Sequence, residues 1–356
     1  MTPSRRRLSI ASLVAAVLLT TGCATTTTTA PTPTPTATAT PAETPTPTPT
    51  PAPVTTPTLP FGGDCAQLLS ADELDEFLGD GWATREEMYE EWDIDTLSPG
   101  VAFVPLETIG AMECWWYPAE QKDGLQQIAV MVAPADSVPD SFTQKFSEPR
   151  CEGNYDGSSC YLVRTEGDAW LMATVGNLIE EPPVALLEGI LDAAAGHLAQ
   201  PFDAESVSRD GWWPLPSCED LGAAMQLEEL IGPNYNTGFW EGTESPQLIM
   251  LREGGVSVLC EWSTGSGETA PDGEYYVTSV HIANGADWQW DDIATVNDAQ
   301  EVTVAGAERA VLVDESEGNP GRENLFASDG VNVIEVDGGD DDFKIELAER
   351  ALAALR

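Results

Sequence analysis

The sequence predicts an α+β protein: two tandem copies of a disulfide-tied antiparallel sheet, each flanked by an N-terminal and a C-terminal helix, after a disordered Thr/Pro stalk. Three observations carry this. Two stretches of about 140–150 residues repeat one pattern of Cys, Leu, Gly and Trp. Each stretch holds alternating apolar and polar runs of strand length between a helical opening and a helical close. Six cysteines remain as an even set once Cys23 is assigned elsewhere.

In chain order, residues 1–22 read as a lipoprotein signal peptide. Arg5, Arg6 and Arg7 precede an apolar run from Leu8 to Leu19, and Thr20, Thr21 and Gly22 lead to Cys23. The run is too short for a stable membrane span. A cysteine after a small pair resembles the lipobox of bacterial lipoproteins, which implies that Cys23 is acylated, with palmitate among the chains, and becomes the new N-terminus. Thr20 stands where that motif usually has Leu, and the alternative is cleavage after Ala24 and a secreted product. Residues 23–60 then form the lipidated Cys and a Thr/Pro-rich linker. Positions 24–60 hold 17 Thr, 11 Pro and 6 Ala, with Glu43 their single charge. Such a tract cannot bury a core, favours extended polyproline II, and reaches on the order of 100 Å. Its composition also suits O-glycosylation.

Two repeat domains follow, 61–200 and 201–356. Cys65, Leu68, Ala71, Leu74, Glu76 and Gly79 coincide without a gap with Cys218, Leu221, Ala224, Leu227, Glu229 and Gly232. Cys114-Trp115-Trp116 answers Cys260-Glu261-Trp262, and the alternating run 127–133 answers 277–283. Each copy opens with a helix. In the first, Ser70 and Glu73 have capping-box spacing, Leu74, Phe77 and Leu78 share a face, and Gly79 suits a left-handed cap. Strands are expected over 125–132, 161–165 and 170–175, the last two joined at Glu166-Gly167-Asp168, with Asp329-Gly330 as the matching turn. Each copy closes with a strand and a helix, the helices at 184–198 and 343–355. Corresponding cysteines do corresponding jobs, so Cys65 pairs with Cys114 and Cys218 with Cys260. Cys151 and Cys160 are left to close a short Gly-, Asn- and Ser-containing loop in the first copy.

A helix beginning at Cys-x-x-Leu, ending in Gly and followed by Cys-x-Trp resembles a group of actinobacterial envelope lipoproteins of unknown function. It is more distantly similar to the extracellular sensor domains of mycobacterial receptor kinases, which are disulfide-tied α+β folds. Carried by Cys65, Leu68, Gly79, Cys114, Trp116 and their counterparts, the resemblance implies location and fold and no catalytic residue.

Charge narrows the partners. The chain has 60 acidic and 15 basic residues, a net −45, and is nearer −48 once the three signal arginines leave. That surface disfavours nucleic acid and anionic lipid, so membrane attachment falls to the anchor at Cys23. The acidic run Asp337 to Asp342 lacks EF-hand spacing, no cysteine pair has zinc spacing, and no metal is expected. Gly265-Ser266-Gly267 is not continued into a dinucleotide fingerprint and no P-loop occurs, so no cofactor is expected. His197, on the closing helix, and His281, where the first copy has Met131, read as packing or surface residues. Paired carboxylates remain available for glycan hydrolysis, with no pair singled out.

Among 11 tryptophans, Trp116 and Trp262 read as core, and Trp212 and Trp213 as packing at the junction. Trp82, Trp92, Trp240, Trp288 and Trp290 are candidates to stack on a ligand. The expected function is that of a non-catalytic, lipid-anchored extracytoplasmic binding or sensing protein on the outer face of the membrane or in the wall. Its partners would be the membrane and cell-wall glycan or an envelope protein, with a ligand in the cleft between the copies. A cell-wall glycan hydrolase using paired carboxylates is the alternative.

Overall fold

The first copy runs α1 (Ala71–Leu78), β1 (Ala83–Thr84), α2 (Arg85–Glu91), α3 (Pro105–Thr108), β2 (Met112–Tyr117), β3 (Leu125–Pro134), α4 (Asp140–Lys145), β4 (Arg150–Asn154), β5 (Gly157–Glu166), β6 (Ala169–Asn177) and α5 (Val184–His197). The second runs α6 (Cys218–Ala224), α7 (Glu228–Ile231), β7 (Asn236–Thr237), α8 (Pro246–Glu253), β8 (Ser257–Ser263), β9 (Val277–Ala283), α9 (Trp290–Thr295), β10 (Gln300–Glu301), β11 (Arg309–Asp314), β12 (Glu323–Ser328), β13 (Val333–Asp337) and α10 (Asp341–Ala354). This computed structural model describes residues 55–91, 105–119, 124–154, 157–177, 183–198, 202–238, 244–295, 299–314 and 323–356. Cys23, the signal, most of the stalk, Trp92, Trp240 and most of the loop 315–323 lie outside the described residues.

The two sheets share one topology. Strand order is β1-β2-β3-β6-β5-β4 in the first and β10-β11-β12-β13-β9-β8-β7 in the second, and every neighbouring pair is antiparallel. Read from the other edge, the second sheet is the first with one added edge strand, β10. Cys114 pairs with Val130 and Cys260 with Val280, so the Cys-x-Trp motifs occupy one place in both sheets. Trp116 and Trp262 are each 1% exposed, in the cores between sheet and flanking helices. All three disulfides form as the repeat implies: Cys65–Cys114, Cys218–Cys260 and Cys151–Cys160. The third staples an edge hairpin rather than an irregular loop, since Cys151 and Cys160 face each other directly across β4 and β5.

The opening helices differ in phase, although their sequences align without a gap. Ser70 accepts from the Glu73 N–H, and the Glu73 carboxylate takes the Ser70 N–H at 2.7 Å, so α1 starts after Ser70. The equivalent residue, Ala223, cannot cap. There Ser217 caps instead, α6 runs from Cys218 through Ala224, and the chain breaks at Gln226 (φ +55°) before α7. Gly79 and Gly232 end both segments at φ +82° and +93°; their ψ of 172° and 164° makes these turns extended rather than left-handed helical.

Each sheet is covered on its other face as well. In the first copy α3 and α4 cover part of it, joined by α8 from the second copy, whose Met250 and Leu251 share an apolar cluster with Met131, Phe142, Trp170 and Met172. The copies therefore meet here through packed apolar side chains. Trp212 packs against that cluster and Trp213 enters the second core, so the tryptophan pair pins the junction to both. The Thr/Pro tract is docked before it ends: Thr58 bridges to Glu205, and Pro60 is buried.

Candidate functional site

The outer faces of the two sheets carry different residues at equivalent positions. Alternation places Met112, Cys114 and Trp116 toward the helical core of the first copy, so Glu113, Trp115 and Tyr117 face outward. Trp115 pairs with Ala129, Ala129 with Thr174, and Thr174 with Tyr161, which makes one row across four strands. The adjoining row has Gln127, Gly176 and Ser159. Gly176 is needed there, because a Cβ would stand 2.7 Å from Cγ of Gln127. Ala129, Thr174, Gly176 and Tyr161 are buried there, and Trp115 and Tyr117 are partly exposed at one side.

Thr174 is 2% exposed and its hydroxyl has no hydrogen-bond partner. Arg85 Nε is buried and equally unpaired, while the Trp115 indole N–H donates to the Glu113 carboxyl. The Arg85 guanidinium lies 4.7 Å from the centre of the Trp115 ring, a cation–π contact. Glu113 accepts from Gln247 Nε2 of α8 at 2.8 Å, so the second copy contributes to this rim. Burial pushes the Glu113 carboxyl above the usual range, while Gln247, the nearby Trp115 indole and the Arg85 charge draw it back. Tyr161 is likewise raised by burial, partly offset by Ser159 and reinforced by Glu152 and Glu113.

The same place in the second copy is acidic. Glu261, Ser279 and Asp337 replace Trp115, Ala129 and Thr174 in the pairing. Met131 and Met172, paired and fully buried in the first copy, become the cross-strand pair His281 and Glu335. His281 Nδ1 lies 3.6 Å from Glu335 Oε2, and Asn324 Nδ2 donates to Glu335 Oε1 at 2.8 Å. His281 is thus a buried packing residue with a polar partner. His197 is half-exposed, its Nε2 2.8 Å from Glu73 Oε2, tying α5 to the capping box of α1.

Other sequence candidates acquire structural roles. Asp340 caps α10 through the Phe343 N–H, Asp341 pairs with the buried Lys344 at 3.3 Å, and Asp337 takes the Gly338 N–H. No group of three or more potential metal ligands occurs among the described residues, and none of their helices is long and apolar enough to cross a membrane. Trp82 donates to Asp75 at 3.0 Å, and Trp290 is buried beneath Arg309. Trp288 donates to Thr108 Oγ1 at 3.2 Å across the junction. Nearby, burial and then the Asp292 charge raise the Glu107 carboxyl. Trp115, the partly exposed aromatic on the outer face of β2, escaped the sequence reading; its signal is two adjacent tryptophans in a strand, only one of which can face the core.

No protein-family model matches this chain, and no curated protein matches it. Among solved structures it matches the crystal structure of a trimeric bacterial microcompartment shell protein, PduB, at 7% identity over 71% of this chain and 92% of that one. The TM-score is 0.13, too low to relate the folds.

Proposed function

We propose that this chain is a non-catalytic, lipid-anchored binding or sensing protein of a bacterial cell envelope, held outside the membrane through Cys23. One observation supports it above the rest. Two copies of one fold carry different chemistry at equivalent positions of one sheet face: Trp115, Ala129 and Thr174 in the first, and Glu261, Ser279 and Asp337 in the second. A wall spacer has no use for such divergence, whereas binding surfaces with different tasks do. The partner is an envelope protein or cell-wall glycan. In-cell crosslinking of the tagged, membrane-anchored protein tests this: recurrent recovery of one partner supports it, and recovery of none overturns it.

The anchor has its own test. Cys23→Ala releases the protein from the membrane fraction and abolishes palmitate labelling, because the acidic chain has no electrostatic hold on the bilayer. Retention of the variant in washed membranes would refute lipidation.

A carboxylate hydrolase is the second reading, favoured by Glu107, raised by burial and by Asp292 near Trp288 and the junction. The binding reading expects no new reducing ends when wall glycan is incubated with the protein. Release of reducing ends that Glu107→Gln removes would transfer the assignment to the hydrolase.

A further inference from the structure

We infer that Asn284 is a hydrolytic modification site gated by folding. The native junction protects its side-chain amide; opening the junction lets it become aspartate or isoaspartate, and neither product lets the junction close again. Asn284 is followed by Gly285, and no other asparagine in the chain precedes a glycine. Glycine matters because it lacks the Cβ that would hinder its nitrogen from reaching the asparagine Cγ. The reaction needs only water. The Gly285 nitrogen gives its proton to hydroxide and bonds to Cγ of Asn284, the Cγ–Nδ2 bond breaks, and ammonia leaves with a proton from water. Water then opens the resulting ring at either of its carbonyls, which gives aspartate or isoaspartate.

The fold dictates this labile pair. Asn284 takes the Trp213 N–H and donates to the carbonyls of Trp213 and Gly255, a set of three bonds that needs an amide. Gly285 has φ +68°, and a Cβ there would stand 2.7 Å from Trp212 Nε1 and 2.8 Å from Val207 Cγ2. An asparagine before a glycine thus follows from how the two copies are joined.

The same contacts hold the pair inert. Asn284 is 0% exposed, which keeps hydroxide and water away. The Gly285 N–H is donated to Asn332 Oδ1 at 3.2 Å, so the attacking nitrogen retains its proton. The Asn284 backbone N–H is donated to the Val256 carbonyl at 2.8 Å, and Ala283 before it pairs with both Ser257 and Val333. That ladder fixes the main chain against the rotation which ring closure requires. When the junction opens, all of these locks fall together. Neither product restores them. Aspartate turns a carboxylate oxygen toward the Trp213 and Gly255 carbonyls, and isoaspartate adds a methylene to the main chain between β9 and Gly285.

The test compares the full mature chain, disulfides intact, at one mildly alkaline pH in buffer and in denaturing guanidinium chloride. Peptide mapping follows aspartate and isoaspartate at position 284. Conversion should be at least about a hundredfold slower in the native chain, where it waits for the fold to open. In the denatured chain the rate should rise with pH, because the attacking nitrogen must lose its proton. On dilution from denaturant, the fraction that recovers native tryptophan fluorescence should fall in step with conversion. An aged Asn284→Ala variant should recover as well as a fresh one. Equal conversion rates in the folded and denatured chains overturn the gating. Converted chains that refold as well as unconverted ones overturn the block. Should the alanine variant not refold even when fresh, the native sequence decides: converted Asn284 concentrated in the unrefolded fraction supports the inference, and an even distribution overturns it.

Discussion

Replacing Cys65 and Cys114 together by serine lowers the melting temperature of the first copy by about 10 °C, the largest loss available from a single bridge in that copy. The bond closes a loop of 49 residues and ties the opening segment to β2, at the centre of the core that holds Trp116. Chain-entropy arguments put such a constraint at about 4 kcal/mol, and a domain of this size shifts by about 2–4 °C per kcal/mol. Cys218–Cys260, with a 42-residue loop, should cost nearly as much in the second copy. Cys151–Cys160 closes only 9 residues, at an edge where the β4–β5 ladder already holds the pair, so its removal should cost about 2–3 kcal/mol at most. Thermal unfolding of the three double-serine variants measures the order. A Cys151/Cys160 variant less stable than the Cys65/Cys114 one would refute the loop-length account.

The bridges were legible because a duplicated sequence states its own pairing. Strands β3 and β9 were legible for the same reason, as alternating runs that answer each other in the two copies. The closing helices were readable from period and length. The elements that place the candidate site were harder to see. Helix α8 begins at Pro246 after Ser245, a usual start signal, but its buried positions Met250 and Leu251 make sense only once the first sheet offers them an apolar face. Strand β4 has Gly153 and Asn154 and reads as a loop; the Cys151–Cys160 staple and pairing to β5 make it a strand. The two-residue strands β1 and β7 carry no pattern at all.

The site itself was legible only in fragments. Nothing local marks Thr174 as an orphan hydroxyl, because its isolation depends on Ala129 and Tyr161, 45 and 13 residues away in sequence and adjacent only through pairing. The exchange of Met131 and Met172 for His281 and Glu335 is likewise a two-strand event. One half, Met131 against His281, is visible in the alignment of the copies; its partner becomes visible only with the sheet order. Function that sits on a sheet face is written across strands, and a single chain reading runs along them.

Asn284→Asp should destabilise the second copy by about 4 kcal/mol, far more than the same exchange of an amide for a carboxylate would cost at the surface. Asn284 is fully buried just after β9, where it acts as a substitute for a missing strand. Its Oδ1 accepts the Trp213 N–H at 3.0 Å, and its Nδ2 donates to the carbonyls of Trp213 at 2.9 Å and Gly255 at 3.0 Å. Aspartate keeps the first bond but turns a carboxylate oxygen toward two carbonyls that have lost their donor. Alanine loses all three bonds without adding repulsion, so Asn284→Ala should cost about 3 kcal/mol and rank between aspartate and the native residue. Asn332 holds the same segment from below, taking the Gly285 N–H at 3.2 Å and donating to the Gly211 carbonyl at 3.0 Å. The junction peptide 211–213 is therefore held by side-chain amides where backbone pairing is absent, with Trp212 and Trp213 on either side committed to different cores. Urea midpoints of the two Asn284 variants give the ranking. If aspartate proves no worse than alanine, the Trp213 and Gly255 carbonyls have another donor, and the amide is not what fixes the second copy to the junction.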